Sequence, residues 1–105
     1  MNYIAIEKEL IPYAFEIVLG EETFRFEINY NLDFDFFTLN LYKDDETLVL
    51  GEKIVYNSTL FEAVRNDKFP KVKILPTDLA DQDERVTWEN FNETVFLYVY
   101  NEVEE

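Results

Sequence analysis

Tyr13-Ala14-Phe15-Glu16-Ile17-Val18-Leu19-Gly20-Glu21-Glu22-Thr23-Phe24-Arg25-Phe26-Glu27-Ile28-Asn29-Tyr30 reads with a period of two on both sides of a glycine. Before the glycine, Tyr13, Phe15, Ile17 and Leu19 fall on one face, with Glu16 on the other. After it, Phe24, Phe26, Ile28 and Tyr30 align, with Thr23, Arg25, Glu27 and Asn29 opposite. Such alternation marks half-buried strands, because successive strand side chains point to opposite sides of the sheet. Gly20-Glu21 supplies the tight turn, so the stretch predicts a β-hairpin.

Working outward, the same pattern continues. Phe37, Leu39 and Leu41 predict a third strand with Thr38 and Asn40 on its other face. Lys43-Asp44-Asp45-Glu46 is a turn. A fourth strand starts near Thr47, is interrupted at Gly51 and resumes over Ile54-Val55-Tyr56. A glycine inside a strand marks a bulge or bend, which would let one strand serve two sheets or turn a barrel corner. Ser58 is placed to cap a short helix over Thr59 to Arg65, with a plain loop as the alternative. Pro70 and Pro76 bracket a short edge strand containing Val72 and Ile74. Thr77 to Glu84 is an acidic loop, and Arg85-Val86-Thr87-Trp88 is a candidate short strand. Thr94 to Tyr100 is apolar on both faces, which predicts a strand covered on both sides. Glu102 to Glu105 reads as a frayed acidic tail. With 2 glycines in the chain, Asn and Asp must carry most turns, among them Asn31, Asp33, Asp44, Asp45 and Asn66. The expectation is all-β: residues 1–105 as one small β-sandwich or partly open β-barrel of antiparallel strands, with at most one short helix.

Composition narrows the function. The 105 residues hold 10 Phe, 7 Tyr and 1 Trp, enough for an aromatic core, so disorder is not expected despite a net charge of −14. That charge opposes nucleic acid and anionic lipid, both of which require Lys and Arg. It favours a basic partner surface, or serves solubility alone. The chain has no Cys and no His, which excludes disulfides, Ser-His-Asp and Cys-His arrangements, and zinc sites built on those ligands. Met1 to Glu7 lacks the basic and apolar regions of a signal peptide, and no apolar run reaches membrane-spanning length. The expected location is the cytoplasm, or a particle assembled there, so the sequons at Asn57 and Asn92 carry no weight.

Three groups of residues remain as candidates. Asp33 and Asp35 sit two apart beside Phe34, Phe36 and Phe37, and paired carboxylates near aromatics imitate a glycosidase site. The plainer reading is a strand-entry turn with its acids in water. Asp78, Asp81, Asp83 and Glu84 offer clustered oxygen ligands of the kind calcium takes, but their spacing is not that of an EF-hand, and a solvated loop explains them. Arg85, Trp88, Tyr98 and Tyr100 are residue types that dominate binding interfaces. Trp88 is alternatively core, with the tyrosines covering it. No catalytic, metal or cofactor residue is assigned, and a binding module is left by elimination.

Ile11-Pro12-Tyr13-Ala14-Phe15-Glu16-Ile17, Tyr30-Asn31 with Phe34-Asp35-Phe36-Phe37-Thr38-Leu39, and Gly51-Glu52-Lys53-Ile54-Val55-Tyr56 resemble the phage baseplate plug family. So do Arg85-Val86-Thr87-Trp88 and Thr94-Val95-Phe96-Leu97-Tyr98, and the resemblance runs from about Ile4 to Tyr100. The family is named for the central plug of a cyanophage tail baseplate, and small proteins of this type occur among the tail genes of phages and prophages. The resemblance implies a virion structural subunit in the tail baseplate, assembled in the host cytoplasm and contacting hub or tube proteins, with no enzyme activity. It leaves room for a homo-oligomer in the particle and involves neither nucleic acid nor membrane. Relatives tend to carry glycine where Leu79-Ala80-Asp81 and Asn92-Glu93 stand here, so those turns are expected to differ in shape. Behind this reading stand a carbohydrate- or receptor-binding module using Trp88 and surface tyrosines, a small hydrolase using Asp33 and Asp35, and an acidic inhibitor that mimics nucleic acid.

Overall fold

The computed structural model describes residues 2–63 and 66–101. Seven strands run in chain order: β1 (Asn2–Ile4), β2 (Tyr13–Leu19), β3 (Glu22–Asn31), β4 (Phe36–Lys43), β5 (Glu46–Lys53), β6 (Val72–Thr77) and β7 (Phe96–Asn101). A 3-10 turn, Lys8–Leu10, links β1 to β2. Strands β2-β3-β4-β5 form one antiparallel sheet in that order, and β1-β7-β6 form a second. The two sheets share one hydrophobic core and do not close on each other, so the architecture is a sandwich rather than a barrel.

The hairpin stands as its alternation predicts. Phe15 pairs with Phe26 and Ile17 with Phe24, placing both apolar sets on the core side. Gly20 and Glu21 have φ of 59° and 73°, the two left-handed residues of a type I′ turn, whose twist matches the strands it joins. Asp44 and Asp45 repeat the arrangement between β4 and β5, with φ of 51° and 66°. Aspartate and asparagine hold further left-handed positions at Asp35, Asn57, Asp81 and Asn92, because their short polar side chains tolerate this region. Asp81 and Asn92 thus take, without glycine, the backbone that glycine adopts most easily.

The core is aromatic. Phe24, Phe26 and Phe37 from the large sheet and Phe61, Phe69 and Phe91 from connecting segments are fully buried. Phe26 lies 5.8 Å from Phe15 and 6.5 Å from Phe61, ring centre to ring centre. Each such ring contributes about 1.5–3 kcal/mol by leaving water. Ile4, Ile74 and Leu97 close the core from the small sheet.

Three expectations are corrected and one open choice, helix or loop after Ser58, is decided for the loop. Gly51 is a bulge, with φ of 73° and broken register beside it, but β5 ends at Lys53 and pairs only with β4. It neither joins the second sheet nor resumes as a strand at Ile54. No helix follows Ser58 among residues 59–63; Val64 and Arg65 lie outside the described residues. Tertiary bonds win there: the Asn57 and Leu60 N–H groups donate to the Pro76 and Ile74 carbonyls, and Phe61 sits at φ 66°, outside the helical region. Arg85 to Trp88 is not a strand. Asn90 folds it into a turn, its Oδ1 accepting from the Thr87 N–H at 2.8 Å while the Thr87 hydroxyl accepts from the Asn90 N–H. Finally, β7 is the centre of its sheet, but among the described residues no second layer covers its outer face. Tyr98 is buried there beside Tyr3 and Phe96 of the same sheet, with Tyr3 half exposed. Glu102 to Glu105 lie outside the described residues.

Candidate protein-binding surface

Three segments distant in sequence meet at one end of the sandwich: the Lys8–Pro12 passage into β2, the Asn31–Asp35 turn between β3 and β4, and the 85–91 loop. Asp35 joins the last two. One carboxylate oxygen, Oδ1, accepts from the Tyr30 hydroxyl at 2.6 Å and from the Trp88 N–H at 2.9 Å. The Arg85 guanidinium lies 3.7 Å from Oδ2 and donates to the carbonyls of Phe34 and Asp35, at 3.3 and 3.0 Å. The turn is set locally by Asn31, whose Oδ1 accepts from the Phe34 N–H and whose carbonyl accepts from the Asp35 N–H. The Tyr30 hydrogen bond, then the Trp88 N–H and the Arg85 charge, hold the Asp35 carboxyl below the usual aspartate range. The same bond raises the Tyr30 phenol, since losing its proton would set two negative charges together.

This bracing holds apolar side chains in water. Trp88 stacks nearly parallel to Phe37 at 6.0 Å and meets Tyr30 at a tilt at 4.9 Å, yet it stays 39% exposed. Lys8 lies 5.4 Å from its ring centre and donates to its carbonyl. Beside it opens a cleft of about 460 Å³ lined by Ile11, Pro12, Asn29, Tyr30, Leu32 and Trp88. Leu32 is 81% exposed, Phe34 72% and Leu10 53%. Scattered single exposures are ordinary, but Leu32 and Trp88 line the cleft itself, and Leu10 and Phe34 are exposed on the segments that supply its lining, the kind of grouping that marks an interaction site. Trp88 is therefore a rim residue, and its expected place in the core is corrected.

The other candidates settle differently. Asp33 is exposed in the turn while Asp35 is bound into the network above, so neither a facing carboxylate pair nor a water-facing pair describes them. Three acids of the acidic loop accept hydrogen bonds that hold it in place. Asp78 accepts from the Ala80 and Gln82 N–H groups, Asp81 from the Tyr56 hydroxyl, and Asp83 from the Thr94 hydroxyl. The Gln82 N–H bond is the main reason the Asp78 carboxyl lies below its usual range. Among the described residues, no three carboxylates converge as a metal site requires. Tyr98 is buried and Tyr100 half-buried on the outer face of the small sheet. What the periodicity missed is the turn apex. Leu32 and Phe34 stand between Asn31, Asp33 and Asp35, and apolar residues set in an acidic turn are themselves the signal.

No curated protein matches the chain. A family model described as the cyanophage baseplate Pam3 plug gp18 matches residues 1–102. With nearly every residue of the sandwich inside that match, the chain belongs to the cyanophage baseplate plug family, structural proteins of the phage tail baseplate.

Proposed function

We propose that this chain is held at the central hub of a tail baseplate, binding hub or tube subunits through the apolar end formed by Leu10, Leu32, Phe34 and Trp88. The observation that carries the reading is the Asn31–Asp35 turn. Two large apolar side chains are displayed almost fully to water on a loop fixed by Asp35, Tyr30 and Arg85. Rigid apolar anchors lose little conformational entropy on docking, which is what interface hot spots require. The net charge of −14 supports a basic neighbour, steered to the site over long range. Assembly takes place in the host cytoplasm, and the reading assigns the chain no catalytic step.

The test is quantitative mass spectrometry of gradient-purified tails. Stoichiometric presence of the wild-type chain supports a structural subunit, and its loss in a Leu32→Ser, Phe34→Ser variant that still folds supports this end as the contact. Intact tails lacking the chain overturn the reading.

A second reading has one specific support: the half-exposed Trp88 ring over the cleft suits stacking on a sugar. It requires glycan binding by the isolated protein, abolished in Trp88→Ala.

A further inference from the structure

We propose that β2 is a docking edge, to which a neighbouring subunit adds an extended segment carrying lysine or arginine opposite Glu16, as a fifth strand of the large sheet. The proposal rests on the chain being a protein-binding baseplate subunit.

An open sheet edge presents unpaired N–H and C=O groups and invites strand addition, so proteins usually block it. Three of the four edges here are blocked. β1 has only 3 residues. β6 contains Pro76, and its outer carbonyls at Ile74 and Pro76 accept from Leu60 and Asn57. β5 is bent by the bulge at Gly51. β2 has none of these devices. Its 7 residues contain no proline and one charge, and they pair with β3 in unbroken register from Tyr13↔Ile28 to Leu19↔Glu22. No other described segment hydrogen-bonds to its backbone.

The register fixes what the edge offers. A two-residue turn makes Leu19 and Glu22 the first hydrogen-bonded pair, so the backbone groups of Leu19, Ile17, Phe15 and Tyr13 point to β3. Those of Ala14, Glu16 and Val18 point outward. Tyr13, Phe15 and Ile17 are only half-buried, and a fifth strand would cover their open flank.

Charge selects the occupant. A second copy overlapping all of β2 antiparallel would set Glu16 directly against Glu16, and would bring two bodies of charge −14 together. Like charges directly opposite in a sheet are destabilising. A basic residue in that place converts the same position into a favourable cross-strand pair. Backbone bonds supply affinity and the alternate side chains supply selection, as in other strand-addition complexes.

Val18→Pro tests this at the edge, because it removes an outward N–H and no bond to β3. Glu16→Lys reverses the selecting charge at an exposed position. Val18→Thr keeps the N–H and is the control. Each variant is supplied in place of the wild-type chain, and tails are quantified by mass spectrometry after circular dichroism has verified folding. Wild-type and Val18→Thr are expected in tails at equal levels. Val18→Pro and Glu16→Lys are expected to fall by about tenfold or more, as loss of edge hydrogen bonds and of the charge pair requires. Val18→Pro at the wild-type level overturns the proposal; should that variant not fold, Glu16→Lys at the wild-type level does so. A wild-type dimer in sedimentation that Val18→Pro abolishes makes a second copy the occupant and also overturns it. Absence of the wild-type chain from tails removes the subunit reading and the proposal with it, whereas wild-type present beside undiminished edge variants removes the proposal alone.

Discussion

Trp88 and Asp35, 53 residues apart in sequence, are joined by a hydrogen bond from the Trp88 N–H to Asp35 Oδ1 at 2.9 Å. Because the same oxygen also accepts from Tyr30, one carboxylate ties the 31–35 turn to the 85–91 loop and sets the pose of the exposed apolar end.

Asp35→Asn is expected to destabilise the fold in a pH-dependent way. The carboxyl is depressed in the folded state, so its contribution is present above the unfolded-state pKa and is lost as pH falls through the folded value. The stability gap between wild type and Asp35→Asn, measured by urea unfolding, should be full at neutral pH. It should close as the solution is acidified through the ordinary aspartate range and below. A gap that stays constant or widens on acidification contradicts the assignment.

Leu32→Ser and Phe34→Ser are expected to leave stability within about 0.5 kcal/mol of wild type, since neither side chain is buried. Tail incorporation should nevertheless fall. Thermal unfolding together with particle mass spectrometry separates the two effects.

Phe26→Ala removes a fully buried ring that packs between Phe15 and Phe61. The expected cost is about 3–5 kcal/mol. Domains of this size hold about 5–15 kcal/mol in total, so denaturant titration should show a large drop in midpoint or outright unfolding.

Glu21→Gly should stabilise the protein by about 0.5–1 kcal/mol. Glu21 occupies the second left-handed position of a type I′ turn, where a side chain is strained and glycine is not. The gain is smaller than the relieved strain because glycine has more freedom to lose on folding. Equilibrium unfolding measures it directly.

Raising ionic strength is expected to slow association of the purified chain with its tail partner, followed by stopped-flow or surface-binding kinetics. Steering by a body of charge −14 is screened over roughly 8–10 Å at physiological salt. A rate independent of salt removes the basic-neighbour element from the proposed function.

The large sheet was legible because its information is local. Phe24, Phe26 and Ile28 alternate within one strand, and each tight turn is written in its own adjacent residues. The small sheet was half legible. β6 and β7 show in the Val72 and Ile74 alternation and the Phe96–Tyr100 run, but Pro76, expected to end β6, lies inside it opposite Leu97, and Asn2–Ile4 is too short to show a period. The misread segments are those whose backbone groups are claimed from far away. Residues 57–60 give theirs to β6, and Asn90 overrides the strand propensity of Val86 and Thr87. The exposed apolar end was least visible, because its cleft exists only where Pro12, Leu32 and Trp88 come together and no window of sequence contains all three.

The pairing of Asn2 with Val99 has a kinetic meaning. Strands β2 to β5 are a meander of neighbours, and each hairpin needs only a short loop to close. The small sheet instead requires the two extremes of the described chain to find each other, the most expensive closure this topology contains. During synthesis the meander can form while β7 is still inside the ribosome, leaving one apolar face of Phe24, Phe26, Phe37 and Leu39 waiting for its cover. Substitutions in the β2–β3 turn should therefore change the folding rate, and substitutions in β1 should change mainly the unfolding rate.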